Sequence, residues 1–157
     1  MIIGESSTII ARPANVILGW VLDLERYRQA DTKIAAVLSP LVLNGQGRGR
    51  VRYRGTLRGL PTPADWNDVT LEPDRRLTLI GSPGVWTRRV VDFAGSFECA
   101  PVAGGTRVVH RECFTFKGPA RQLIEAWLGA WLQQEVEAEV ERLRMLIEAD
   151  QAPRASV

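Results

Sequence analysis

The chain has a single histidine, His110, placed two residues before Glu112 in a stretch of alternating side chains, 106–116. In an extended strand, residues i and i+2 face the same way, about 7 Å apart. A histidine and a carboxylate held together in a dry pocket form a general acid–base pair near neutral pH. Such a pair takes a proton from a carbon beside a carbonyl, or helps to expel water. The competing reading is a histidine hydrogen-bonded at a cavity edge with no chemical role. Two more acids, Glu135 and Glu139, fall near the centre of the apolar face of a long C-terminal helical stretch. They either meet a partner arginine or look into a cavity. Arg88 and Arg89, in a stretch read as strand, are candidate counter-ions. Buried ion pairs of this kind more often hold structure than catalyse.

Other chemistries find no support in the sequence. One histidine among scattered acids gives no metal-ligand spacing, so no metal is expected. Neither a Walker nor a Rossmann glycine motif is present, and no cofactor is expected. Gly45, Gly47 and Gly49 form a loose series with no helix start behind them. Cys99 and Cys113 are read as reduced thiols, Cys113 facing away from His110, with no nucleophile signature. The 20 basic and 18 acidic residues leave a net charge of +2, which gives no reason to expect nucleic acid. No apolar run approaches the ~20 residues that span a bilayer, and the start of the chain has no signal-peptide pattern. A cytoplasmic protein, monomer or homodimer, is the expectation.

The elements that must position these groups follow from periodicity. Residues 118–149 read as one helix, with apolar positions Ile124, Leu128, Trp131, Leu132, Val136, Leu143, Leu146 and Ile147 on one face. Residues 2–11 read as a first strand. Pro13 opens a helix over 14–22, and Asp23 caps a second over 24–29. An extended run at 34–43 is followed by the turn 44–47 and a clear alternation, with Arg50, Arg52 and Arg54 facing solvent and Val51 and Tyr53 facing inward. The stretch 60–63 reads as loop, 64–71 and 76–80 as strands, and 85–99 as a long strand with Val91, Phe93, Phe97 and Cys99 on one face. Gly104-Gly105 turns the chain into 106–116, where Val108, His110, Glu112, Phe114 and Phe116 share a face. This order makes an α+β domain. One helix ~10 Å across cannot fill the concavity of a strongly curved sheet, so a pocket between them is expected. Its predicted lining is Val51, Tyr53, Trp66, Val91, Phe93, Phe97, Phe114, Trp127 and Trp131, with Glu135 and Glu139 from the helix.

Several of these stretches resemble a known family. Ile10-Ala11-Arg12-Pro13, Val16 and Asp23-Leu24-Glu25-Arg26-Tyr27 resemble the opening I-x-A-P-x-x-V-W-x-x-L-x-D-x-x-x-Y of the START-like, Bet v 1-like helix-grip superfamily, also called SRPBCC. The likeness is greatest to its polyketide cyclase/dehydrase and lipid-transport branch. Residues 31–37, DTKIAAV, resemble the W-x-P-x-I-x-x-V that follows, with Ala30 near the place of the tryptophan. Gly45 and Gly47 match the next turn, and residues 104–108 match the G-G-T-R-V of the penultimate hairpin. The resemblance implies a helix-grip fold: a curved seven-stranded antiparallel sheet wrapped around a long C-terminal helix, with two short helices between strands 1 and 2. It also implies a hydrophobic cavity. The superfamily includes aromatase/cyclases, lipid and sterol carriers, hormone receptors and coenzyme Q-binding proteins, and no universal catalytic residue carries across.

The expectation is a single ligand-binding domain over 1–150 followed by a disordered tail, 151–157. It binds a hydrophobic small molecule, aromatic polyketide-like or lipid-like. The alternatives are a cyclase/dehydratase using His110 with Glu112, Glu135 or Glu139 as acid and base, and a protein-interaction module.

Overall fold

Short connections join each strand from the second onward to its neighbour, all but one of them tight turns, and this fixes most of the topology. The computed structural model describes residues 1–150; the expected disordered tail, 151–157, lies outside the described residues. The elements are β1 (Ile2–Ile10), α1 (Ala14–Leu22), α2 (Leu24–Tyr27), β2 (Ile34–Leu43), β3 (Arg48–Leu57), β4 (Leu60–Glu72), β5 (Arg76–Ser82), α3 (Val85–Arg88), β6 (Val91–Val102), β7 (Gly105–Phe116) and α4 (Arg121–Ala149). The seven strands form one antiparallel sheet in the order β1-β7-β6-β5-β4-β3-β2. Helices α1 and α2 carry the chain from the β1 edge to the β2 edge. The Asp23 carboxylate accepts the Arg26 amide and starts α2. Three register shifts interrupt the pairing of β2, the strand that carries Pro40, and such bulges bend a sheet edge.

Three local expectations need correction. Residues 60–63 are not a loop. They open β4, and the turn is made by Arg58 and Gly59, both at positive φ. Pro61 and Pro63 sit where the β3–β4 ladder slips between Arg54 and Thr56, so the missing N–H groups break no regular pairing. Residues 85–88 are the one-turn helix α3, not strand. The β5–β6 ladder ends at Ile80 and Ala94, so the backbone beyond it closes locally: Arg88 N–H donates to the Gly84 carbonyl and Val90 N–H to that of Thr87. Finally, α4 begins at Arg121, with Pro119 in the preceding turn.

The 29-residue α4 buries Leu128, Leu132, Val136, Val140, Leu143 and Ile147 in one stripe, and packs chiefly on β1, then on β7. A core cluster fills one end of the grip: Ile17, Leu18, Val21 and Leu24 from α1 and α2 meet Val69, Leu77 and Phe97 from the sheet, and Leu143 and Ile147 from α4. The other end is not filled this way.

Close approach of helix to sheet needs Gly4. A Cβ there would lie 2.8 Å from Val136 Cγ2 and 3.0 Å from the Leu132 carbonyl oxygen. Gly4→Ala is expected to cost about 1–3 kcal/mol through overpacking. Gly45→Ala, where a Cβ meets nothing within 4 Å, should stay within about 0.5 kcal/mol of the parent. Denaturant unfolding of both variants checks this.

Candidate functional site

Alternation along β7 puts Thr106, Val108, His110, Glu112 and Phe116 inward, and all five are buried. Residues 31–33, between α2 and β2, place Asp31 and Lys33 against them. Glu139 lies in the buried stripe of α4 and has no exposed surface. The result is a buried ionic cluster centred on Lys33. Its ammonium lies 2.8 Å from Asp31 Oδ1 and 3.5 Å from Glu112 Oε2, and donates to Glu139 Oε2. The Tyr27 hydroxyl donates to Glu139 Oε1. The Lys33 amide donates to Asp31 Oδ1 at 2.9 Å, which fixes that carboxylate.

His110 stacks on Phe97, ring centroids 4.0 Å apart and planes 9° from parallel. Its Nδ1 lies 3.0 Å from the Ser96 carbonyl oxygen. A carbonyl only accepts, so Nδ1 carries a proton. Nε2 then faces Glu139 Oε1 at 3.0 Å and Glu112 Oε1 at 3.8 Å, without an aligned hydrogen bond to either. Glu112 Oε2 is likewise buried and without a hydrogen-bond partner. His110, Glu112 and Glu139 bring one ligand-type atom each within 4.8 Å of one another. The cation between the carboxylates is Lys33's own ammonium, which a metal ion would have to displace.

Charge counting sets the protonation chemistry. Three carboxylates oppose one ammonium, so neutrality needs two more protons. Burial raises the Glu112 carboxyl to about 7, with Glu139 and Asp31 adding to the rise and Lys33 opposing it. Burial alone would lower His110, yet the Glu139 and Glu112 carboxylates outweigh it and raise the imidazole above its ordinary value. Glu139 goes the other way. Its burial is overcome by His110 and Lys33, which hold it well below the usual carboxylate range. Burial likewise opposes the charge on Lys33, but Glu112, Glu139 and Asp31 together push it well above 10.5. One acid stays ionised and a neighbouring acid keeps a proton to near neutrality, an arrangement suited to passing protons.

Two openings adjoin the cluster. A small, mostly apolar void of about 30 Å³ touches His110, Phe97, Tyr27 and Glu112. A cavity of about 470 Å³ opens beyond it, with Asp31, Lys33, Tyr53, Asp65, Asn67 and Glu112 among its polar lining. Phe93, Phe114, Phe116, Val91, Val90 and Trp86 supply its apolar wall. Glu112, Tyr53, Asp31 and Phe93 border both spaces. Burial and the Asp31 and Glu112 carboxylates push the Tyr53 phenol well up, so it is a hydroxyl donor at all working pH values.

Of the residues expected to line the pocket, Tyr53, Val91, Phe93, Phe114 and Glu112 do so. Phe97 and His110 border only the inner void. Val51 is core. Trp66 does not line either space. It lies beneath Arg50, whose guanidinium is 5.0 Å from its ring, because Asn67 and Val69 take the inward parity of β4. Trp127 is exposed, with Arg58 over its ring, and Trp131 is only half-buried. Glu135 is bound by Arg142 at 2.6 Å and Thr32 at 2.7 Å at the helix edge. Arg88 and Arg89 belong to exposed α3 and its cap, and the counter-ions of Glu139 are Lys33 and His110. Sequence reading missed Asp31, Lys33, Asn67 and Tyr27. A signal for Lys33 existed: the chain has only two lysines, Lys33 and Lys117, among 20 basic residues. A compact ammonium with three rotatable donors meets three carboxylates from different directions.

Comparison with known proteins supports this architecture. A family model described as "Polyketide cyclase / dehydrase and lipid transport" matches residues 1–148. No curated protein matches the chain by sequence. Among solved structures, TTHA0849 from Thermus thermophilus is 18% identical, with a TM-score of 0.75 over 96% of this chain and 99% of that one. The Zhui aromatase/cyclase from Streptomyces sp. R1128 is 16% identical, with a TM-score of 0.73 over 99% and 98%. A START superfamily protein from Mycobacterium smegmatis is 18% identical, with a TM-score of 0.68 over 92% and 98%. At these identities the likeness is one of fold.

The cluster makes stability depend on pH. Folded, Glu112 keeps its proton to about pH 7, whereas its ordinary value is 4.5. The folded state binds more protons across that interval, so this contribution falls as pH rises through it. His110, also raised, acts in the same direction: its contribution is complete below its ordinary value of 6.5 and is lost as pH passes the folded value. Glu139 works oppositely, with stability present above 4.5 and lost only in strong acid. Glu112→Gln is therefore expected to be more stable than the parent at pH 8, by on the order of 2 kcal/mol, with the gap closing towards pH 5. Thermal unfolding of both proteins across that range checks it. Lys33→Met, which leaves the carboxylates uncompensated, should cost about 3–5 kcal/mol in urea unfolding at pH 7.

Proposed function

Because the chain belongs to the polyketide cyclase/dehydrase and lipid transport family, we propose that it binds a largely apolar, oxygen-bearing small molecule in the 470 Å³ cavity. The observation that carries this reading is the division of the cavity wall. Aromatic and aliphatic side chains line much of it, while Asp31, Lys33 and Glu112 meet it as one ionic group, and Tyr53, Thr56, Thr62, Asp65, Asn67 and Thr87 add further polar positions. The volume lies within the roughly 300–1,000 Å³ of pockets that enclose drug-sized ligands. Flat rings pack against Phe93 and Phe114, whose centroids are 4.9 Å apart. Carbonyl or hydroxyl oxygens of the ligand meet the Lys33, Tyr53 and protonated Glu112 donors.

A second reading is favoured by one carboxyl group. Glu112 borders the cavity, has Lys33 3.5 Å from one oxygen and titrates near neutrality. In a cyclase/dehydratase this carboxylate takes a proton from carbon beside a carbonyl. The enolate carbon then bonds to a second carbonyl carbon, whose oxygen takes that proton back to become a hydroxyl. The carboxylate next removes a second proton from the newly bonded carbon, a C=C bond forms, and the hydroxyl leaves with this proton as water. His110, behind Glu112 and Glu139 and outside the larger cavity, serves as a positioning and proton-sharing residue.

Native mass spectrometry of the purified protein, before and after denaturation, tests the first reading: a bound molecule lost on denaturation is expected, and its mass defines the ligand class. Phe114→Ala should weaken that ligand by about tenfold, through lost apolar contact. An empty cavity that also binds no hydroxylated fused-ring ketone would overturn the reading. For the second, Glu112→Gln should keep ligand affinity and lower turnover of a poly-β-carbonyl substrate by about 10²–10⁴-fold; equal turnover removes Glu112 from any chemistry.

A further inference from the structure

The rim of the larger cavity gathers apolar side chains that a water-facing surface rarely brings together. Trp86 is 79% exposed and Leu123 77%, and Val85, Val90, Leu60 and Trp127 are also exposed. They come from three separate segments at one end of the fold. Trp86 and Val90 line the cavity itself, as do Leu57 and Pro61 beside Leu60 at the β3–β4 turn. Arg58, in that turn, ties it to α4: its Nη1 donates to the Trp127 carbonyl at 2.7 Å. Leu123 lies one helical turn before Trp127 on the same face.

Basic side chains alternate with these apolar ones. Among the described residues, Arg58, Arg88, Arg89 and Arg121 have no carboxylate in ion-pair range, whereas the nearby acids are engaged. Asp92 is paired with Lys117 at 2.7 Å, Glu125 with the Met1 amino group, and Asp65 accepts the Gly84 amide. Arg89 sits 5.4 Å over the Trp86 ring, so cation and indole project together. The helix α3 that presents them buries none of its residues. An exposed indole among guanidinium groups without carboxylate partners joins apolar and cationic recognition in one patch. It suits a deformable interface, where indole rests at headgroup depth, aliphatic groups just below, and arginines on phosphates.

We propose that this rim docks on the surface of an anionic lipid bilayer, with Val85, Trp86 and Leu123 at the headgroup–acyl boundary and Arg58, Arg88, Arg89 and Arg121 on lipid phosphates. The cavity then opens towards lipid, and an apolar ligand passes without crossing water. That consequence rests on the ligand-binding reading; the docking does not.

Flotation of the full chain with vesicles of phosphatidylcholine, alone or mixed with phosphatidylglycerol, tests the proposal. Binding to the anionic vesicles is expected, weaker to the neutral ones and weakened by salt. Trp86→Ala should lower the anionic-vesicle affinity about tenfold, and Arg88→Gln and Arg89→Gln roughly fivefold each. All three positions are exposed, so thermal unfolding should match the parent. Arg52→Gln and Arg54→Gln, on the outer face of β3, should leave binding intact. Vesicle binding by a protein that carries no ligand in native mass spectrometry and binds no hydroxylated fused-ring ketone supports the docking and removes the ligand reading. No binding to anionic vesicles overturns the proposal, as does an equal loss from the outer-face variants. Rim-dependent binding of an acidic protein without any vesicle binding overturns it as well, and makes the rim a protein interface.

Discussion

A lysine ammonium held among three carboxylates, away from water, is the constraint around which this molecule is arranged. Asp31 and Lys33 arrive from the segment after α2, Glu112 from β7 and Glu139 from α4. Moving α4 or the start of β2 away would strand an unpaired charge in the interior, at a cost larger than most single contacts supply. Tyr27 reinforces the arrangement from α2 by donating to the same Glu139. The cluster therefore fixes the helix over the sheet at a polar point, while the Leu128-to-Ile147 stripe fixes it through burial.

The cavity follows from how that helix is placed. Close packing on β1, permitted by Gly4, draws α4 to one side of the curved sheet. Helices α1 and α2 complete the core at one end. At the other end Tyr53 of β3, Phe93 of β6 and Phe114 and Phe116 of β7 face the cavity, and α3 with the β3–β4 turn forms the rim. Glu112 belongs to both worlds. One face of its carboxyl meets the ions, and the other borders the space a ligand enters. Its burial keeps a proton on it near neutrality, while Lys33 and His110 strip the proton from the neighbouring Glu139. Two carboxyl groups in one cluster thus hold opposite states because Lys33 and His110 lie closer to Glu139 than to Glu112.

Strand parity and helical periodicity made the architecture legible before any coordinates. The two-residue period of β7 put His110 and Glu112 on one buried face, and the glycine pairs and prolines marked most turns. The family motifs around Pro13, Tyr27 and Gly104 pointed to the helix-grip fold, which the sheet order and α4 display. Where local signals failed, a tertiary fact had intervened: 85–88 coils into α3 because no strand remains to pair with it, and Trp66 turns outward because Asn67 takes the inward place.

The fold class, the inward set of β7 and the presence of acids on the helix face could all be read from the order of residues alone, because they depend on periods of two and about three and a half residues. Which acid pairs with which cation could not. Lys33 and Glu139 are separated by 106 positions, and no local spacing records that their charges meet. Nor does spacing record that Glu135 faces Arg142 at the edge while Glu139, one turn on, faces Lys33 in the interior. That choice depends on how α4 is rotated against β1 and β7, which is set by side-chain packing across the whole interface and by the need to leave no buried charge alone.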